Sequence, residues 1–209
     1  LVHLLRNYLH RGLEQMVVQQ IAGQTHLDLY LTTLQKLIDE KLGQFAEGSK
    51  YFAAALEANV ILELATKPDV LAKYGLVSHN ITSSINSFAG NMEDSQAISW
   101  LSHNIGICFA VDFKTTLESL SKASFGQPLL TFWVQHHKTL FTFRTRKASF
   151  LGLLSVLNST GVANLIAQAG LDETQYLAFL MSEVIAIAKI YEEEVKMYDE
   201  DDDDDIPDN

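Results

Sequence analysis

Leu27, Tyr30, Leu31, Leu34, Ile38 and Leu42 stand at i, i+3, i+4, i+7, i+11 and i+15. That spacing gathers them on one face of an α-helix and on no face of a strand. Helical spacing of this kind recurs throughout the 209 residues. Proline, which would interrupt it, occurs only at 68, 128 and 207. Pro68 and Pro128 suit a first helical turn, where the missing N–H has no intrahelical acceptor to lose. Alternating strand patterns and Asn-Gly or Asp-Gly hairpin signals are missing. The chain reads as all-α.

Its punctuation predicts helices near 3–21, 26–42, 50–66, 68–74, 79–89, 95–110, 113–122, 128–141, 144–157, 160–168 and 173–197. Thr25 with Asp28 resembles a capping box before the second of these, and Gly43 suits its end. Gly75, Gly90, Asp112, Gly126 and Gly170-Leu171-Asp172 supply further stops and starts. So many helices with short connectors exceed one simple closed bundle. A helical pair about every 35–45 residues is the spacing of HEAT-type repeats. The predicted architecture is an α-solenoid of HEAT-like antiparallel helical hairpins over 1–197, ending in an acidic, flexible segment at 198–209. Leu151, Leu153 and Leu154 are expected in its core. An apolar pattern already under way at Leu1 predicts a piece of a longer solenoid.

Charge sets the end of the chain apart. Formal net charge is −11, yet residues 192–209 hold 11 acids and one lysine, whereas residues 1–191 hold 15 acids and 14 bases. A near-neutral body argues against a nucleic-acid-binding domain and against docking on an anionic membrane. The tract Asp199, Glu200, Asp201, Asp202, Asp203, Asp204 and Asp205 repels itself and is expected to stay solvated. Glu192, Glu193 and Glu194 oppose the helix dipole, so fraying is expected beyond about residue 195. The tract serves either as a plain solubilising tail or as a polyanionic strip that attracts Lys/Arg-rich proteins by long-range steering.

Signs of catalysis or ligation are weak. No His-Glu-x-x-His, P-loop, Gly-x-Gly-x-x-Gly or Gly-x-Ser-x-Gly occurs, and no Cys/His spacing suits zinc. His3 and His10 share a helical face without a third ligand, and His136-His137 reads as an exposed or capping pair. Cys108, within Ile105-Gly106-Ile107-Cys108-Phe109, reads as a small buried hydrophobe. Lys138, Arg144, Arg146 and Lys147, with Phe141 and Phe143 between them, could bind single-stranded nucleic acid. Pairing with the acidic tail or an acidic partner suits them better. The Asn80 and Asn158 sequons read as unused. No apolar run approaches the roughly 20 residues of a membrane span. The expectation is no enzyme, no cofactor and no metal.

Over 113–157 an ordered series emerges. Phe113-Lys-Thr-Thr-Leu-Glu-Ser-Leu120 is followed by Gln127-Pro-Leu-Leu-Thr-Phe-Trp133, then Arg146-Lys147-Ala-Ser-Phe-Leu151-Gly152-Leu153. This resembles the C-terminal HEAT repeats of the importin-β superfamily, most of all the importin-seven and importin-eight group, where an acidic tract follows in the same order. Thr145 departs from the Asp of that family's pattern, and residues 1–112 match only in helical rhythm. The resemblance implies a nuclear transport receptor working in cytoplasm and nucleus. Its acidic tract would take basic cargo such as ribosomal proteins or histones, and nucleoporins are possible partners. Ran GTPase would bind N-terminal repeats to which nothing here corresponds. It further implies structural roles for Trp133, Arg146, Lys147, Leu151, Gly152 and Leu153, and neither direct nucleic-acid binding nor membrane binding. The competing reading is a free-standing acidic helical chaperone for histones or ribosomal proteins.

Overall fold

The computed structural model describes residues 12, 14–39, 47–88, 95–123, 126–136, 143–159 and 172–201. They are overwhelmingly helical: α1 His26–Asp39, α2 Glu47–Glu63, α3 Pro68–Tyr74, α4 Leu76–Phe88, α5 Ser95–Val111, α6 Phe113–Lys122, α7 Gly126–His136, α8 Phe143–Leu157 and α9 Glu173–Asp201. The chain divides into two compact units, Leu1–Val162 and Ala163–Asn209. The expected helix at 160–168 lies outside the described residues.

Local chemistry accounts for several boundaries. Thr25 Oγ1 accepts from Asp28 N at 3.0 Å, while Asp28 Oδ2 accepts from Thr25 N at 2.7 Å. This is the reciprocal capping box expected at the start of α1. The Thr25 hydroxyl above all, with help from Tyr74, holds the Asp28 carboxyl down to about 2. Asp112 Oδ1 caps α6 through Thr115 N at 3.0 Å, and Asp172 Oδ1 caps α9 through Gln175 N at 2.9 Å. Pro68 opens α3, and Gly75 closes it in the left-handed conformation at φ 58°, where a Cβ would be strained.

One short segment departs from the helical reading. The helix expected over 3–21 is present at 14–18 and ends there, giving way to a minimal antiparallel hairpin that pairs Gln20 with Thr25 and Ile21 with Gln24. Its turn residues, Ala22 and Gly23, both have positive φ, 53° and 83°. That is the backbone a two-residue hairpin turn requires. Ala22 is a poor residue for it, which is why the usual sequence signal is missing.

Within the first unit, α2, α5 and α8 begin at residues 47, 95 and 143, intervals of 48 residues, and α5 packs against both of the others. All three run the same way. Ser99 Oγ reaches Thr145 Oγ1 (3.4 Å) near the starts of α5 and α8, and Ser155 Oγ donates to the Phe109 carbonyl (2.8 Å) near their ends. Phe52 of α2 meets Trp100 of α5 edge-on at 5.6 Å. Asn59 and Leu62, further along α2, share a cavity wall with Ile107 and Ala110 of α5. On another side α4 runs antiparallel to α5, with Asn104 bonded to Ser84 and Cys108 to Asn80. Residues 101–109 of α5 are buried on every side, so this helix carries no amphipathic signature.

Closest approach occurs at glycine. A Cβ on Gly106 would run into the Ala148 carbonyl and lie 2.6 Å from Ser149 Cα, and one on Gly152 would lie 2.6 Å from Gly106 Cα. The α5 and α8 backbones therefore touch. Gly106→Ala should cost at least about 2 kcal/mol through overpacking, despite the ~1 kcal/mol that alanine gains over glycine in an isolated helix. Urea denaturation of the variant checks this. Unchanged or higher stability would show that the two helices are not in backbone contact.

Candidate functional site

The acidic run is continuous with α9, and its helical part extends further than expected. The helix persists through Asp201, so Asp199, Glu200 and Asp201 lie in its last turn rather than in a segment frayed from about 195. Asp202, Asp203, Asp204 and Asp205 lie outside the described residues. No base occurs in that last turn to offset the dipole.

The residues singled out over 133–153 gather around α8. Trp133 is buried, donates Nε1–H to Ser149 Oγ at 2.8 Å and stacks on Phe109 with centroids 5.4 Å apart. That ring pair lies within the separation favoured for aromatic contacts. Gly152 and Leu153 are buried, whereas Arg146 is half-buried and Lys147 exposed. Leu151 corrects the sequence reading, for it is 41% exposed rather than in the core. It follows Lys147 by one helical turn. Leu154 is half-buried.

Leu151 instead lines an apolar cavity of about 180 Å³ where α2, α5 and α8 adjoin. Leu62, 44% exposed, lines it too, with Ile107, Ala110, Ala148 and Lys147. Such a hollow could hold one large side chain, and it is small for a cofactor. Among the described residues no cluster of three His, Cys, Asp or Glu could hold a metal ion, and no helix is long and apolar enough to cross a membrane.

A second polar feature escapes the sequence reading altogether. Glu57 is fully buried in α2, and its carboxylate lies 2.8 and 3.0 Å from His79 Nδ1. With Glu57 ionised, Nδ1 must carry the proton. Asn80 Nδ2 donates to Glu57 Oε2 at 3.0 Å and to the Ala54 carbonyl at 2.9 Å, while Cys108 Sγ donates to Asn80 Oδ1 at 3.7 Å. Burial first, then the charges of Glu57 and Asp112, push the Cys108 thiol well up. It is therefore a thiol at neutral pH and a poor nucleophile. Asn80 is buried with its amide engaged, so this sequon cannot carry a glycan in the folded chain. The only sequence signal was one glutamate inside the apolar run Ala53–Ile61.

No family model, curated protein or solved structure matches this chain.

Removing the imidazole tests whether the buried carboxylate depends on it. His79→Ala should destabilise the fold by about 2–3 kcal/mol, because the fully buried Glu57 carboxyl group loses a hydrogen-bond partner. Glu57→Gln should cost less, about 1–2 kcal/mol, since the neutral amide can still meet both neighbours. Equilibrium denaturation reads both. A His79→Ala cost below about 0.5 kcal/mol would show that the pair is idle.

Proposed function

We propose that this chain is a non-enzymatic helical-repeat segment of the importin-β type, which recruits basic proteins such as ribosomal proteins or histones through the acidic end of α9. The observation that carries the repeat reading is the recurrence of α2, α5 and α8 at 48-residue intervals, side by side and in one direction. Stacked repeats place like helices in such a row, each one burying its neighbour's apolar face. The family assignment rests on the ordered motifs at 113–157 and the acidic run after them. Ran binding is assigned to no residue of this sequence.

Recruitment follows from charge. With a near-neutral body and a net charge of −10 beyond residue 191, the field of the molecule is concentrated at one end. A Lys-rich protein is drawn there from a distance, which raises the association rate and selects partners by sign of charge. Salt shortens the reach of this field to about 8 Å at physiological ionic strength. Charge alone selects weakly among basic proteins, so a neighbouring surface must supply shape.

Deleting residues 198–209 should leave helicity and melting nearly unchanged. The association rate with a Lys-rich histone should fall at least about tenfold at low salt. Stopped-flow binding at two salt concentrations, with circular dichroism on the same samples, measures both effects. Binding that is independent of salt and indifferent to the deletion would contradict the proposal.

A further inference from the structure

The acidic end of α9 does not stand on a polar helix. Leu177, Met181 and Ile185 are 42%, 63% and 53% exposed, and their i, i+4, i+8 spacing aligns them along one face. These are three of the most exposed large apolar side chains among the described residues. At 100° per residue, Ala188 and Glu192 fall within the same arc, and both are exposed. Lys189 is exposed too, at the edge of this arc, and from Glu192 onward the sequence carries 11 acids against one lysine.

We infer that this face docks an amphipathic helix whose apolar stripe ends in a cluster of lysines or arginines. The inference rests on the reading of the acidic run as a site for basic proteins, and names the surface that would supply its selectivity. Charge complementarity decides the occupant. A partner lying along Leu177, Met181 and Ile185 has its neighbouring end in the field of the segment 192–209, whose net charge of −10 favours cations and disfavours anions. A neutral apolar helix would forgo that attraction, and an acidic one would be repelled. Helix pairing through i, i+4, i+8 anchors is an established mode of recognition, and methionine at its centre adapts to partners of differing shape.

The test uses the full chain and two synthetic peptides. One carries leucines at i, i+4 and i+8 followed by four lysines, and the other has glutamine in place of each leucine. Fluorescence anisotropy should show the leucine peptide binding at least about tenfold more tightly. The L177Q/M181Q/I185Q variant, with glutamine chosen because it keeps helix propensity, should erase that preference and leave the glutamine peptide's affinity unchanged. Should the triple variant fail to fold by circular dichroism, Met181→Gln alone, at the most exposed position, should reduce the preference severalfold. Equal binding of the two peptides to the unaltered chain would overturn the docking face while leaving charge recruitment intact. Binding of neither peptide would overturn both readings. A dimer in sedimentation that the glutamine variant converts to monomer would assign the stripe to a second copy of the chain and overturn the inference.

Discussion

The contact between α5 and α8 at Gly106 and Gly152 sets the geometry of the first unit. With no Cβ on either glycine, the two backbones meet where ordinary side chains would hold helix axes 8–10 Å apart. Ala148, one turn before Gly152, keeps the approach open. Close approach then makes short side chains useful, because a serine hydroxyl can span the gap. Ser155 reaches the Phe109 carbonyl from α8, and Ser149 receives the indole N–H of Trp133. Phe109 thus has its carbonyl held by one helix and its ring stacked on another. Widening the crossing would loosen all of these together.

On its other flank, α5 is held by polarity rather than by size. Cys108, Asn80, Glu57 and His79 form a chain of hydrogen bonds through α5, α4 and α2. A buried carboxylate is costly to desolvate, and its hydrogen bonds are sensitive to displacement. A slip of α4 along α2 by one residue would take Asn80 away from the Ala54 carbonyl and from Glu57 together. The apolar side chains around it could repack after such a slip, whereas these bonds could not. The cluster therefore specifies register, a role for which buried polar groups are suited.

What was legible in the sequence was local. The Thr25–Asp28 box, the Asp112 and Asp172 caps, Pro68 and Gly75 act on residues within a turn of themselves, so their positions carry their meaning. The hairpin at 20–25 was not legible, because Ala22 takes a conformation its own chemistry disfavours. Leu151 was misplaced because helical spacing says which residues share a face, not which face a neighbour covers. The Glu57 cluster needs α2, α4 and α5 assembled before it exists. At the candidate site the acidic run was plain from composition alone. The exposed stripe before it was not, since Leu177, Met181 and Ile185 look in sequence like any other core-facing row.

On the proposed reading the first unit is a frame and α9 the element that meets a partner. The frame is held by backbone contact on one side and buried polar bonds on the other. The proposed binding belongs to the exposed apolar row of α9 and the acidic run that follows it. Hydrogen–deuterium exchange on the full chain, with and without a Lys-rich histone, locates the binding surface directly. The account predicts slowed exchange across 173–201 and no change in α2, α5 or α8. Slowed exchange confined to the helices around the Leu62–Leu151 cavity, with α9 unaffected, would contradict it.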